Sequence, residues 1–337
     1  MCPPVDQLHS WAKSLVTKLH QGGGTNSIDE AIVLDREALE LCPPGHPKRY
    51  VSLTLLGIHL SDRYDQLGEI TDLKEAIVHG RDALALRPQG HPNRSVALRN
   101  LAVDLSTLHN QLGAMEDLNE AIVLERDALT LCPPGHPDRT KSLTKLAIRL
   151  STRFNQLGAI EDLNEAIVLE RDVLTLRPLG HQDRSQSLSN LAFHLSNRYS
   201  QLGVMEDLSE AIVLDREAQA LRPPGHPDRS KSLGNLAIHL STRFNQLGAV
   251  EDLNEAILLN RDALALCPPG HPDRSITLNN LAVHLSSRYN QLGVLEDLND
   301  RLYLNIALSS RASPRHLQST RSHLVFAIVL PQVRSSF

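Results

Sequence analysis

A fixed period governs this chain. The step Gly-His recurs at Gly45, Gly90, Gly135, Gly180, Gly225 and Gly270, and Gln-Leu-Gly recurs at Gln66, Gln111, Gln156, Gln201, Gln246 and Gln291, each 45 residues from the last with no insertion. A period of this size marks one supersecondary unit copied along the chain. Such a unit cannot bury its apolar face alone and stacks on its neighbours. A compact enzyme fold is excluded on that ground before any single residue is weighed.

The repeat from Ser230 to Arg274 shows how each copy is built. Leu233, Leu236, Ala237, Leu240, Phe244 and Leu247 fall at helical spacing and form one stripe, ended by Gly248. Glu251 and Asp252 open a second helix, where acids favour the positive end of the helix dipole. Its stripe is Leu253, Ala256, Ile257, Ala263 and Leu264. Leu258, Leu259 and Leu266 widen that stripe, so the second helix is expected to be covered on two sides. Pro268-Pro269-Gly270 stops it, and Pro272 and Asp273 restart the next first helix. Only 3% of the chain is aromatic, so the core is one of Leu, Ile, Val and Ala.

The pattern predicts an all-α fold: an α-solenoid, a right-handed superhelix of about seven antiparallel helix pairs. Residues 1–4 are read as an N-terminal extension and 5–49 as a degenerate first repeat, with Trp11 and Ala12 in the places of Leu236 and Ala237. Five well-formed repeats follow over 50–274, then a partial seventh over 275–308. Arg301 breaks the column held by Ala31, Ala76, Ala121, Ala166, Ala211 and Ala256. Residues 309–337 read as a basic tail or cap, or as the mark of a longer repeat array cut short.

Charge and cysteine use narrow the function classes. The net charge is −5, and the five arginines from Arg301 onward leave about −10 for the rest, so no basic face for nucleic acid is expected. Cys42, Cys132 and Cys267 share a column with Arg87, Arg177 and Arg222, which suits neither a disulfide nor a metal site and points to a reducing, cytoplasmic setting. The start, MCPPVDQLHSW, lacks the apolar core of a signal peptide, and no run approaches the ~20 apolar residues of a membrane span.

Several columns invite chemistry and are read more simply. His46 and its five loop equivalents form a ladder rather than a converging metal site, and their place suits helix-start geometry. His59, His194, His239 and His284 share a column with Asp104 and Arg149, a mixture expected on an exposed or half-exposed face. The serines from Ser61 to Ser286 suit close helix packing. The arginine column (Arg36, Arg81, Arg126, Arg171, Arg216, Arg261) and the acidic column (Asp72, Asp117, Asp162, Asp207, Asp252, Asp297) are expected to pair between neighbouring repeats. No catalytic residue, cofactor or metal is expected.

Asn235-Leu236-Ala237, with Ala256, Ala263, Leu264 and Pro268, resembles the signature of tetratricopeptide repeats. The units are 11 residues longer than that family's common 34-residue form and lack its usual aromatics, with Leu and charged residues such as Glu125 in their place. Leu278-Asn279-Asn280-Leu281-Ala282 after Gly270-His271-Pro272-Asp273 resembles the long repeats of kinesin light chains. The Gly-His-Pro-Asp-Arg loop is also similar to arrays in large fungal proteins that precede a CHAT-type peptidase domain. The resemblance covers about residues 5–300. It implies a helix-pair solenoid that binds a protein or peptide, or a sensor array of a larger signalling enzyme whose CHAT or nucleotide-binding domain lies elsewhere. A cargo adaptor of the kinesin-light-chain kind would want a heptad region ahead of the repeats, and only Met1 to Pro4 stand there.

Variation collects on the first helix while the loops hardly change. The resemblance places the varying columns in a concave groove. Asn100, Asn190, Asn235, Asn279 and Asn280 each carry an amide donor and acceptor suited to an extended main chain. Val103, Phe193, Ile238 and Val283 would give apolar contact, and Lys141, Lys145 and Lys231 would favour an acidic ligand.

Overall fold

The structure, a computed structural model, describes residues 4–20 and 26–309. Fourteen helices and no strand are found among them. They run in pairs: α1 (Val5–His20) with α2 (Asn26–Glu40), α3 (Arg49–Leu67) with α4 (Ile70–Ala85), α5 (Arg94–Leu112) with α6 (Met115–Thr130), and α7 (Arg139–Leu157) with α8 (Ile160–Leu176). Then come α9 (Arg184–Leu202) with α10 (Met205–Ala220), α11 (Arg229–Leu247) with α12 (Val250–Ala265), and α13 (Arg274–Leu292) with α14 (Leu295–Ser309). The chain divides into two compact bodies, Met1–Leu176 and Arg177–Phe337. Within each body every helix packs on the next, which makes each an all-α stack of helix pairs.

Two joints set the period. Between the helices of a pair stand only two residues, Gly248 and Ala249 in the sixth repeat. Gly248 takes φ +70° and its N–H returns to the Phe244 carbonyl at 2.7 Å. A β-carbon there would meet nothing within 4 Å, so the left-handed φ, not crowding, requires glycine.

The joint between pairs is more elaborate. The His271 N–H returns to the Pro268 carbonyl at 3.0 Å and the Arg274 N–H to the His271 carbonyl at 3.1 Å. Asp273 makes no side-chain cap. Instead His271 Nδ1 accepts the Asp273 N–H at 3.1 Å. Arg274 donates to the Cys267 carbonyl at 2.5 Å, satisfying an orphan acceptor at the end of α12. The same bonds recur at His136 with Asp138 and at Arg139 with Cys132.

Leucine and alanine stripes meet inside the stack. Leu208 and Ile212 of α10 pack with Leu233, Leu236, Ala237 and Leu240 of α11 and Ala256 and Ala263 of α12. The alanines are fully buried, which lets backbones approach closely. Trp11, in the leucine column, is exposed, while Ala12 is buried as in later repeats.

One expectation is corrected. The second helix is covered on one broad side only: Leu259 is buried, but Leu258 and Leu266 are 60% and 41% exposed. Leu258 falls one position off the stripe of Leu253, Ile257 and Ala263, which turns it to solvent. Arg301 leaves the alanine column without ending the last helix. Helix α14 continues to Ser309, anchored by Leu304 in the core and by Asp297 on Arg288. Residues 310–337, nearly all of the expected tail, lie outside the described residues.

Candidate functional site

The varying columns lie on one outward face of the first helices. In α11, Lys231, Asn235 and Ile238 stand at i, i+4 and i+7 and all are exposed, with Gly234 half-exposed between them. Ile58, Val103 and Ile148 in the first body, and Phe193, Ile238 and Val283 in the second, repeat one apolar position at 37% to 51% exposure. In the first body Asn100 is half-buried and Lys141 and Lys145 are exposed. In the second body Asn190, Asn235 and Asn280 occupy successive first helices, and Asn279 is exposed beside Asn280. Asn190 Oδ1 already accepts Gln186 Nε2 at 2.8 Å, and Lys231 lies 3.9 Å from Asp228.

Three pairs of successive first helices approach one another, α1 with α3, α3 with α5, and α11 with α13. Among the described residues no two second helices come together to the same extent.

The constant loop has a structural cause. Its histidine holds a backbone N–H and its arginine caps the preceding helix in every described joint, for instance at His46 with Lys48 and Arg49 with Cys42. Loop constancy therefore carries no contrast with the varying face. Cys42 and Ser52 touch at 3.6 Å, and Arg177 fills the same column by donating to Ser187 at 2.6 Å. Cys42, Cys132 and Cys267 are free and buried.

The acidic column pairs within its own repeat, which corrects the expectation of neighbour pairing. Arg243 holds Asp252 through two bonds of 2.7 Å across the helix hairpin, and Arg63, Arg153, Arg198 and Arg288 repeat the arrangement nine residues before their aspartates. The third repeat has Leu108 in place of the arginine. The constant arginine column does pair between repeats, as Arg81 with Glu120 at 2.6 Å and Arg126 with Glu165 at 2.6 Å.

The helical histidine column is buried, not exposed. His59, Arg149, His194, His239 and His284 are at most 7% exposed. Except for His194, whose ring nitrogens have no hydrogen-bond partner, each meets a residue 24 positions upstream, on the second helix of the preceding repeat. His59 Nδ1 lies 2.5 Å from Asp35, Arg149 donates to Glu125 at 2.9 Å, and His284 Nδ1 is 2.7 Å from Asn260. His239 Nδ1 lies 2.8 Å from Asp215, off the line of a good hydrogen bond. Burial raises Glu125 and lowers Arg149, and each partner pulls the other back toward charge. The first-helix column alone gave a mixture of His, Asp and Arg. Only the 24-residue offset shows that the mixture is matched from inside.

At the rung of Gly80 and Asp104 the pairing fails for want of a side chain. Gly80 stands where the others carry an acid or amide, and Asp104 where they carry a base. A cavity of about 20 Å³ lies there, lined by Gly57, Ile58, Gly80, Asn100 and Asp104 among others. A wider hollow of about 200 Å³ adjoins it between α3 and α5, lined by Val51, Thr54, Leu55, Val96 and Arg87. Arg87 donates to Thr54 Oγ1 at 2.7 Å and lies 4.7 Å over the Tyr50 ring.

No protein-family model matches the chain, and no curated protein matches it. Solved structures do. The human IFIT1 dimer with PPP-AAAA matches at TM-score 0.55 and 13% identity, over 93% of this chain and 67% of that one. Pseudomonas aeruginosa pilF matches at TM-score 0.50 and 17% identity, over 81% and 97%. The nearly identical TPR-like repeats of a putative kinesin light chain from Podosopora anserina match at 0.47 and 21%, over 65% and 98%. The fold is thus the helix-pair solenoid of tetratricopeptide-repeat proteins, and at these identities the likeness speaks of fold alone.

Proposed function

We propose that this chain is a non-catalytic protein-interaction scaffold that holds an extended peptide along the first-helix face. The observation that carries the reading is the apolar position repeated at Ile58, Val103, Ile148, Phe193, Ile238 and Val283. An apolar side chain kept half-exposed in six of the seven repeats, beside amides, suits a ligand that supplies apolar side chains and a main chain to hydrogen-bond. The closer approach of first helices than of second helices supports a face that curves inward within each body. Against catalysis stands the fate of the acid–base pairs: His59 with Asp35 and His239 with Asp215 are sealed in the core, out of a substrate's reach.

The test is retention of an immobilised library of extended decapeptides. Replacing Asn100, Asn190, Asn235 and Asn280 with alanine should abolish retention and leave helicity and melting temperature unchanged. Retention equal to the parent would sink the reading.

A further inference from the structure

The first-helix face is not uniform, and its exception is chemical. In the other matched rungs the acid or amide of one repeat meets the base of the next inside the stack. At the rung between the second and third repeats the acid stands alone on the first helix. Asp104 Oδ1 accepts the Ser61 hydroxyl at 2.9 Å, and no base is brought to it. Gly80 contributes no side chain where Asp35, Glu125 and Asp215 reach forward. Gly57 stands where later repeats carry Ala102, Ala147, Ala192, Ala237 and Ala282. Both glycines line the cavity of about 20 Å³ that Asp104 also lines. That is enough for one group of the size of water or an ammonium head.

We propose that this cavity is a binding site for an alkylammonium group, entered from the first-helix face between Ile58 and Asn100 and supplied by a lysine of the bound segment. It rests on the peptide-groove reading and sharpens it. Asp104 is half-buried and has no base beside it, and an incoming cation supplies the partner that the matched rungs hold internally. Burial, with Asp65 and Asp62 adding like charge against the help of Ser61, pushes Asp104 up to about 7, so the group gains from a cation. Arg87 on the far wall does not serve: its guanidinium is committed to Thr54, to the Ala83 carbonyl and to the Tyr50 ring.

The neighbouring first helix adds a second preference. Lys141 and Lys145 stand one repeat further on, exposed, and attract an acid. The preferred segment therefore carries an acidic residue as well as the basic one.

The probe is n-butylammonium, with 1-butanol as its neutral counterpart, followed at pH 8 by NMR of the Ile58 methyl and the Asn100 side-chain amide. Saturable shifts with the amine alone are expected. They should vanish in Asp104→Asn and in the double exchange Gly80→Asp with Asp104→His, which rebuilds the internal pair of the other rungs and guards against a folding artefact. Equal shifts with 1-butanol, shifts that persist in Asp104→Asn, or no shift with either probe (a cavity that holds only water) would overturn the site. In the decapeptide library, lysine opposite this rung should be enriched roughly tenfold over norleucine. Peptides retained through the asparagines without that enrichment would overturn the basic anchor and leave the groove standing. Amine binding with no peptide retained would support the cation site and remove the groove.

Discussion

The rung of Glu125 and Arg149 and the rung of Gly80 and Asp104 occupy the same two columns of the first body, one repeat apart. The first seals two opposite charges in the core, at 0% and 3% exposure, and pairs them through one bond of 2.9 Å. The second keeps one charge-bearing group and removes its partner, and it borders a cavity instead. The two columns thus favour complementarity across the 24-residue offset without fixing any one residue pair. Where complementarity is absent inside, it is left to be supplied from outside.

The sharpest way to break this comparison is to turn the matched rung into an unmatched one without a cavity. Arg149→Met leaves the Glu125 carboxylate buried and unpaired and should cost about 3–5 kcal/mol. Chemical denaturation followed by circular dichroism reads it. The double change Glu125→Leu with Arg149→Met should recover most of that loss, because removing both charges also removes their desolvation cost. If the single change costs less than about 1 kcal/mol, burial is not what couples these columns.

The hairpin pairs rank next. Arg243 holds the largely buried Asp252 by two charge-assisted bonds, so Arg243→Ala should cost about 2 kcal/mol. The third repeat offers the natural control. Leu108 replaces that arginine, and Asp117 is not buried, so Asp117→Ala should change stability by less than about 0.5 kcal/mol. Equal losses in the two variants would remove the distinction between them.

Titration separates the rungs by sign. Asp104 is raised from 3.8 to about 7 in the fold, so its contribution to stability is present below the unfolded value and is lost as pH rises toward 7. His284, buried against Asn260, is lowered from 6.5 to about 4, so its contribution is present above 6.5 and is lost as pH falls toward 4. Each proton contributes a slope of up to about 1.4 kcal/mol per pH unit, and the two slopes oppose each other in the window they share. Asp104→Asn should make the protein more stable above pH 7 and steepen its loss on the acid side. A pH–stability profile unchanged by that substitution would mean that Asp104 is solvated in the fold.

Helix pairs, their boundaries and the period were legible because leucine and alanine spacing is a local signal that stacking reinforces. The helical histidine column was misread because burial depends on the partner, and the partner lies on another helix. His59 means little until Asp35 is set beside it, and Asp104 means little until Gly80 is. Leu258 was misread for a related reason: an apolar residue next to a stripe widens it only if a neighbour reaches that far. The outward face was legible as a set of varying positions from Lys141 to Asn280. The hollow at Gly57 and Gly80 was not, since it is made of absent side chains.

The smallest effect belongs to the most regular feature. Arg81 and Glu120 meet at 2.6 Å, and Arg126 and Glu165 at 2.6 Å, in a column without exception across six repeats. Constancy would rank this column above the variable rung of Glu125 and Arg149, but burial ranks it below. Its side chains are 39% to 49% exposed, so water screens the attraction and ordering two long side chains offsets part of it. Arg126→Ala should cost no more than about 1 kcal/mol near 0.01 M salt and almost nothing near 1 M, where the screening length falls from about 30 Å to about 3 Å. Arg149→Met, set in the core, should keep its full cost at both ionic strengths. A salt-independent loss at Arg126 as large as that at Arg149 would show that repetition, rather than burial, sets the strength of a rung.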